Sequence, residues 1–200
     1  MDIKAELVKA LRERTGAGFG DCKAALVEAK GDMEEAILIL RKRGVSQAAK
    51  KAGRATKQGV VSAYIHLGGT IGVLIEVNCE SDFVAKTEDF QTLVKELAMQ
   101  VAAADPKYVR REDVPAAEIE QEKEIYRAQV AGAGKPPAVI EKIVEGKLGA
   151  FYERVVLVDQ PSIRDQAVKV SQLIAQVVGK LGENVTVARF ARYRMGETQE

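Results

Sequence analysis

Between Ile71 and Val77, the β-branched residues Ile71, Val73, Ile75 and Val77 alternate with Gly72, Leu74 and Glu76, and this stretch restricts the fold most tightly. Period-2 alternation sends one set of side chains to one face of a pleated strand. With Val60 to His66 before it and Gly68-Gly69 between, the pattern predicts a β-hairpin whose second strand runs from Ile71 to Asn78. The strand then leaves through Cys79-Glu80-Ser81, and Asp82-Phe83-Val84 follows before the next helical pattern begins. Two readings fit that exit. In one, Phe83 tucks under the next helix while Ser81 or Asp82 caps it; in the other, Asp82-Phe83 is a probe presented to another molecule. Spacing by itself leaves both open.

Ahead of the hairpin, short helical patterns are punctuated by glycines. Ile3, Leu7 and Leu11 recur at helical spacing behind a candidate cap, Asp2, and stop at Thr15-Gly16-Ala17-Gly18. Asp21 opens a second pattern, with Cys22, Ala25, Leu26 and Ala29 on one side and Gly31 as its stop. Asp32 and Glu35 have capping-box spacing, and Met33, Ala36, Ile37 and Leu40 form a third stripe that Gly44 ends. Helices this short must pool their apolar faces, which predicts a three-helix domain over 1–45. Phe19, between Gly18 and Gly20, is either a lid on that small core or a contact residue. The segment 46–58 carries Lys50, Lys51, Arg54 and Lys57 among alanines, and reads as a basic linker helix rather than a nucleic-acid strip, because no aromatics are interleaved.

The remainder, 59–200, reads as an α+β core with a small antiparallel sheet packed with helices. Phe90, Leu93, Val94, Leu97, Ala98 and Val101 mark a core-facing helix closed by Asp105-Pro106. Glu112 to Gln129 is a charged, exposed helix; Gly132 to Pro137 is a break. Ile140, Ile143, Val144 and Leu148 start another helix, Val155 to Val158 is a short apolar run, and Val170 to Leu181 is a further helix. Gly182-Glu183-Asn184 turns into a last strand, Val185 to Tyr193, studded with Arg189, Arg192 and Arg194.

The 200 residues are 46% hydrophobic and 30% charged with net charge +1, a balance that excludes a disordered or strongly basic chain. No apolar run approaches the roughly 20 residues of a membrane helix, and Met1-Asp2-Ile3-Lys4 lacks a signal core, so a reduced, cytoplasmic protein is expected. The search for catalytic chemistry is unproductive. His66 and Cys79 could form a nucleophile pair across the hairpin, but no third group orients them. Gly16-Ala17-Gly18-Phe19-Gly20 follows a helix rather than a strand and lacks the Gly-Lys-Ser/Thr ending of a phosphate loop. No Cys or His spacing suits a metal. The residues favour a binding protein over an enzyme, with no catalytic residue, metal or cofactor. An RNA-binding module and a thiol hydrolase stand as alternatives.

Several motifs, in order and spread over the whole chain, carry a family resemblance. Leu11 to Gly18 followed by Asp21 to Leu26, then Ala48-Ala49-Lys50-Lys51-Ala52, Glu76 to Val84, Gly134-Lys135-Pro136 and Gly182 to Val185 resemble the signatures of the bacterial elongation factor Ts family. The resemblance implies an N-terminal domain similar to ubiquitin-associated domains, a linker and an α+β core. It also implies exchange of GDP for GTP on elongation factor Tu, with no direct nucleotide binding, no membrane and no primary nucleic-acid binding. Residues Ser81, Asp82, Phe83 and Val84 would enter the GTPase near its Mg²⁺ and dislodge the ion. The N-terminal domain, through Leu11, Arg12, Gly18, Phe19 and Lys23, would grip the nucleotide domain near its phosphate loop. Serine stands at 81 where the family usually has threonine, and Phe19-Gly20 where a Met-Met pair is commoner. The chain carries one core sheet unit where longer members carry two. A homodimer is therefore expected, with Val73, Ile75 and Val77, or the opposite face with Leu74, as the apolar contact.

Overall fold

A computed structural model of the protein describes residues 3–131 and 136–197. The chain divides into two compact units, one built from Met1–Val61, Glu76–Val94 and Gln172–Val187, the other from Ser62–Ile75, Lys95–Ser171 and Ala188–Glu200. The α+β expectation holds: helices accompany a three-stranded antiparallel sheet in the order β1-β2-β3, with β1 Gln58–Ile65, β2 Ile71–Cys79 and β3 Val185–Arg194.

In the first unit, helices α1 (Ala5–Thr15), α2 (Phe19–Glu28) and α3 (Met33–Lys51) pack on one another. Val8, Leu11, Cys22, Ala25, Leu26, Ala36 and Ile39 form their shared core. Asp32 caps α3, its Oδ1 accepting the Glu35 N–H at 2.8 Å, which is half of the predicted capping box. The cap expected from Asp2 lies outside the described residues. Two boundaries differ from expectation. First, α2 begins at Phe19 instead of Asp21, with Gly18 as its N-cap. Second, Gly44 does not stop α3. A Cβ on Gly44 would lie 3.6 Å from the Ala175 carbonyl oxygen, and one on Gly179 would lie 3.5 Å from Gly44 Cα. Gly44 is thus a point of close backbone approach to α8 (Val170–Leu181), and the helix continues through it.

Also in the first unit, a four-residue helix, α4 (Asp82–Ala85), follows the end of β2 and precedes α5 (Glu88–Ala104). Thr87 starts α5 by accepting the Phe90 N–H at 3.3 Å. Val77, Cys79, Val84, Phe90, Leu93, Val94, Val178 and Val185 are all buried.

In the second unit, Gly68 and Gly69 take positive φ of 88° and 70°, and Gly69 N–H bonds the His66 carbonyl, the predicted hairpin turn. The helices α6 (Ala116–Val130) and α7 (Pro137–Val155) pack together; Val114, Leu148, Phe151, Val155 and Val156 form a core with Tyr126 and Ile119 against it. The apolar run Val155 to Val158 is the end of α7 and a 3₁₀ turn, not a strand, although Val156 makes one parallel bridge to Tyr108. Of the predicted break at Gly132 to Pro137, the residues Gly132 to Lys135 lie outside the described residues, as does most of the Gly134-Lys135-Pro136 motif; Pro137 opens α7, where a missing N–H costs nothing. Among the described residues no helix is long and apolar enough to cross a membrane.

Candidate functional site

The exit from β2 is held by bonds from far along the chain. Ser81 donates from its backbone N–H and its Oγ to the Glu183 carboxylate, at 2.9 and 2.6 Å. Its Oγ also accepts the Val84 N–H at 3.3 Å, so Ser81 is the N-cap of α4. One residue earlier, Glu80 accepts the Asn184 N–H at 2.6 Å and meets Arg54 at 3.4 Å. Asn184 in turn donates its side-chain amide to the Arg54 carbonyl at 2.9 Å. The turn Gly182-Glu183-Asn184 therefore fastens both Glu80 and Ser81. On the far side of α4, Gln91 Nε2 donates to the Ala85 carbonyl at 2.6 Å, and Thr87 Oγ1 to that of Val84 at 2.8 Å.

This frame buries Val84 and Ala85 and leaves Phe83 78% exposed. A phenyl ring on a single helical turn, fixed at both ends, stands in solvent where a loop aromatic ordinarily finds cover. Beside it, Asp82 pairs with Lys86 at 2.7 Å, and that ammonium holds the Asp82 carboxyl below the ordinary carboxylate range. Beneath, Cys79 is fully buried and donates its thiol to the Ser81 carbonyl. Burial, and next the Glu183 carboxylate, push its pKa up, the opposite of what a nucleophilic thiol needs. His66 bonds Tyr64 through Nδ1 at 3.0 Å.

The N-terminal residues separate into two kinds. Leu11 is fully buried in the three-helix core of the free chain and supports the module from within. Arg12, Gly18, Phe19 and Lys23 are exposed, and Phe19 and Lys23 stand four residues apart on one face of α2. Val84 is likewise buried and props α4 instead of facing outward. The homodimer expectation offered two faces, and they differ in exposure. Val73, Ile75 and Val77 are buried within the chain, whereas Ile65, Leu74, Tyr193 and Met195 are exposed around a groove of about 530 Å³.

Sequence reasoning gave Glu183, Asn184 and Glu80 no role in holding the probe. No local signal could have done so, because the bonds from Ser81 to Glu183 and from Asn184 to Glu80 each join residues more than a hundred positions apart. Removing the Ser81 hydroxyl (Ser81→Ala) takes away a cap and a charge-assisted bond. It should lower stability by about 1–2 kcal/mol, read as a shifted urea midpoint at unchanged slope.

Fold and site together present an exposed phenyl ring on a short helix braced by hydrogen bonds from distant parts of the chain. The comparisons give the family. A profile described as "Elongation factor TS" matches residues 6–197. The chain is 60% identical over 200 residues to "Elongation factor Ts" of Koribacter versatilis (strain Ellin345), covering all of this chain and 91% of that one. It is 54% identical over 198 residues to "Elongation factor Ts" of Solibacter usitatus (strain Ellin6076), covering 99% and 93% of the two chains. Identity to the protein of that name from Desulforamulus reducens (strain ATCC BAA-1160 / DSM 100696 / MI-1) is 57% over 199 residues, covering 100% and 92%. The chain belongs to the elongation factor Ts family.

Proposed function

We propose that this protein binds elongation factor Tu carrying GDP and promotes release of GDP and its exchange for GTP in translation elongation, by displacing Mg²⁺ and remodelling the phosphate site. Family membership supports the exchange role. The observation that carries the mechanism is Phe83, exposed on a four-residue helix fastened at both ends. A GTPase holds its nucleotide largely through Mg²⁺ and the phosphate loop. An exchange factor must bind the emptied GTPase better than the loaded one, and that coupling is reciprocal. Weakening nucleotide affinity by four decades takes about 5.5 kcal/mol of differential binding. A rigid phenyl wedge that packs only against the displaced conformation supplies part of this without losing its own flexibility on binding. Asp82 adds a negative charge next to the wedge, where it perturbs the field around the ion. In this reading the domain of residues 1–45 grips the nucleotide domain through Arg12, Gly18, Phe19 and Lys23, the basic segment 46–58 connects, and residues 59–200 form the core. The test is release of labelled GDP from purified elongation factor Tu, expected to accelerate severalfold or more at substoichiometric amounts of this protein. An unchanged release rate would refute the proposal.

The partner set includes a second copy. The exposed Ile65, Leu74, Tyr193 and Met195 surround one open apolar groove, and a two-fold contact would cover this side chain set on both copies at once. Sedimentation equilibrium at micromolar concentration should give twice the 21.7 kDa chain mass, with Leu74→Lys shifting the distribution to monomer. A single species at the chain mass rules the dimer out.

A further inference from the structure

The loop between α1 and α2, together with α3 and α8, forms a cavity of about 320 Å³, of whose lining the exchange reading uses only Gly18. Four cationic side chains line it, Arg14, Arg41, Arg43 and Lys180, against one carboxylate, Asp21. Three of the cations have carboxylate partners: Arg14 with Glu34 at 2.8 Å, Arg43 with Glu28 at 2.7 Å and Lys180 with Asp89 at 2.5 Å. None of those three carboxylates lines the cavity, but each lies against its cation and offsets most of that charge until the cation turns to another partner. The pairs are solvent-exposed, and exposed pairs are weakly held and readily exchange partners.

Arg41 is different. It is half-buried, lines the cavity, and has no ion-pair or hydrogen-bond partner among the described residues. A guanidinium presents five donors in a planar fork, and a partly desolvated one with none of them engaged by protein is an incomplete arrangement. The amides of Gln47 and Gln176 line the same space and bring further donors. Gly18, the N-cap of α2, lines it as well, and no side chain caps that helix, so the positive end of its dipole adds to the field. Cations gathered in a concave setting concentrate their potential on an anion that enters.

We propose that this cavity is a binding site for a polyphosphate anion, taken either as free pyrophosphate or as the terminal phosphates of a nucleoside polyphosphate. Phosphate oxygens match the fork of Arg41 bidentately, while Arg14 and Arg43 can turn inward from their surface carboxylates to meet the second phosphate. The volume is at the low end for small-molecule sites and suits a compact anion. An occupant bonds at once to the α1–α2 loop, α3 and α8, and so fixes the loop that carries Gly18 and Phe19. Binding of the anion to the free chain does not require the exchange reading to hold.

The experiment is isothermal titration calorimetry of the full chain with sodium pyrophosphate at fixed ionic strength, run in parallel with ATP. Saturable one-to-one binding is expected. Arg41→Ala should weaken it at least about tenfold, the loss of one charge-assisted bidentate pair. Lys42→Ala removes an equal charge from an exposed neighbour outside the cavity and should change affinity less than about twofold. Tighter binding of ATP than of pyrophosphate makes the nucleotide the source, and equal binding makes it the bare anion. Absence of saturable heat, or equal losses in the two variants, overturns the proposal. Should Arg41→Ala fail to fold, the wild-type chain supplies the second reading. Its Gly16, Gly44 and Gly179 amide resonances should move on saturation with pyrophosphate, and resonances that stay in place overturn the site.

Discussion

Phe83→Ala should slow catalysed GDP release from elongation factor Tu at least tenfold, which corresponds to about 1.4 kcal/mol of lost coupling. The estimate follows from area. A phenyl ring that is 78% exposed in the free protein has nearly its whole apolar surface left to bury on binding, and burying such a side chain contributes about 1.5–3 kcal/mol. The same exposure means the ring contributes little to the fold. The melting temperature should therefore stay within about 2 °C, the range for a surface substitution in a chain of this size. Asp82→Ala should cost less activity than Phe83→Ala, since its carboxylate is already engaged by Lys86 and tunes the field without supplying the wedge. A Phe83→Ala protein that exchanges nucleotide at the wild-type rate would remove the ring from the mechanism. One that melts far below wild type would mean the ring belongs to the core after all.

The largest effect on stability is expected at Gly59. Its φ of 146° is a conformation that side chains rarely adopt, and a Cβ there would fall 2.3 Å from the Val77 carbonyl oxygen and 2.7 Å from Asn78 Cα. Both obstacles are backbone, so no rotamer change relieves them; the end of β2 itself has to move. Holding a residue with a Cβ at such an angle costs about 1–3 kcal/mol before any overlap is counted. Gly59→Ala should thus destabilise by about 3 kcal/mol or more, a fall of roughly 6–12 °C in melting temperature. Val77 and Asn78 lead directly into Cys79, Glu80 and Ser81, so exchange should fall in the same variant even below its melting range. Gly20→Ala is the control: a Cβ there meets nothing within 4 Å, and the melt should not drop. A Gly59→Ala protein as stable as wild type would mean that β2 yields at no cost.

The two sites differ in how far the sequence discloses them. Alternation of β-branched residues located β2 to within one residue, and Gly68-Gly69 located its turn, because both signals are local. The helical stripes were equally legible, down to Asp32 as a cap. Gly44 misled for a physical reason. A glycine after an apolar stripe has the same local signature whether it ends a helix or lets another backbone come near, and only α8, some 130 residues on, distinguishes the two. The burial of Leu11 and Val84 was not legible, since a motif names residues without separating exposed ones from those packed beneath them. The aromatic at 83 could be located but its exposure could not be read, because the bonds that hold it out come from Glu183 and not from its own neighbourhood.

That last separation has a consequence in time. Ser81 and Glu183 are 102 positions apart, and a ribosome adding about 5–20 residues per second needs roughly 5–20 s to travel from one to the other. For that interval a growing chain carries its phenylalanine on an unfastened turn, free to sample many directions. The fastening residue is made long after the phenylalanine it holds out, so in a growing chain the ring is fixed in place only once the turn Gly182-Glu183-Asn184 has emerged.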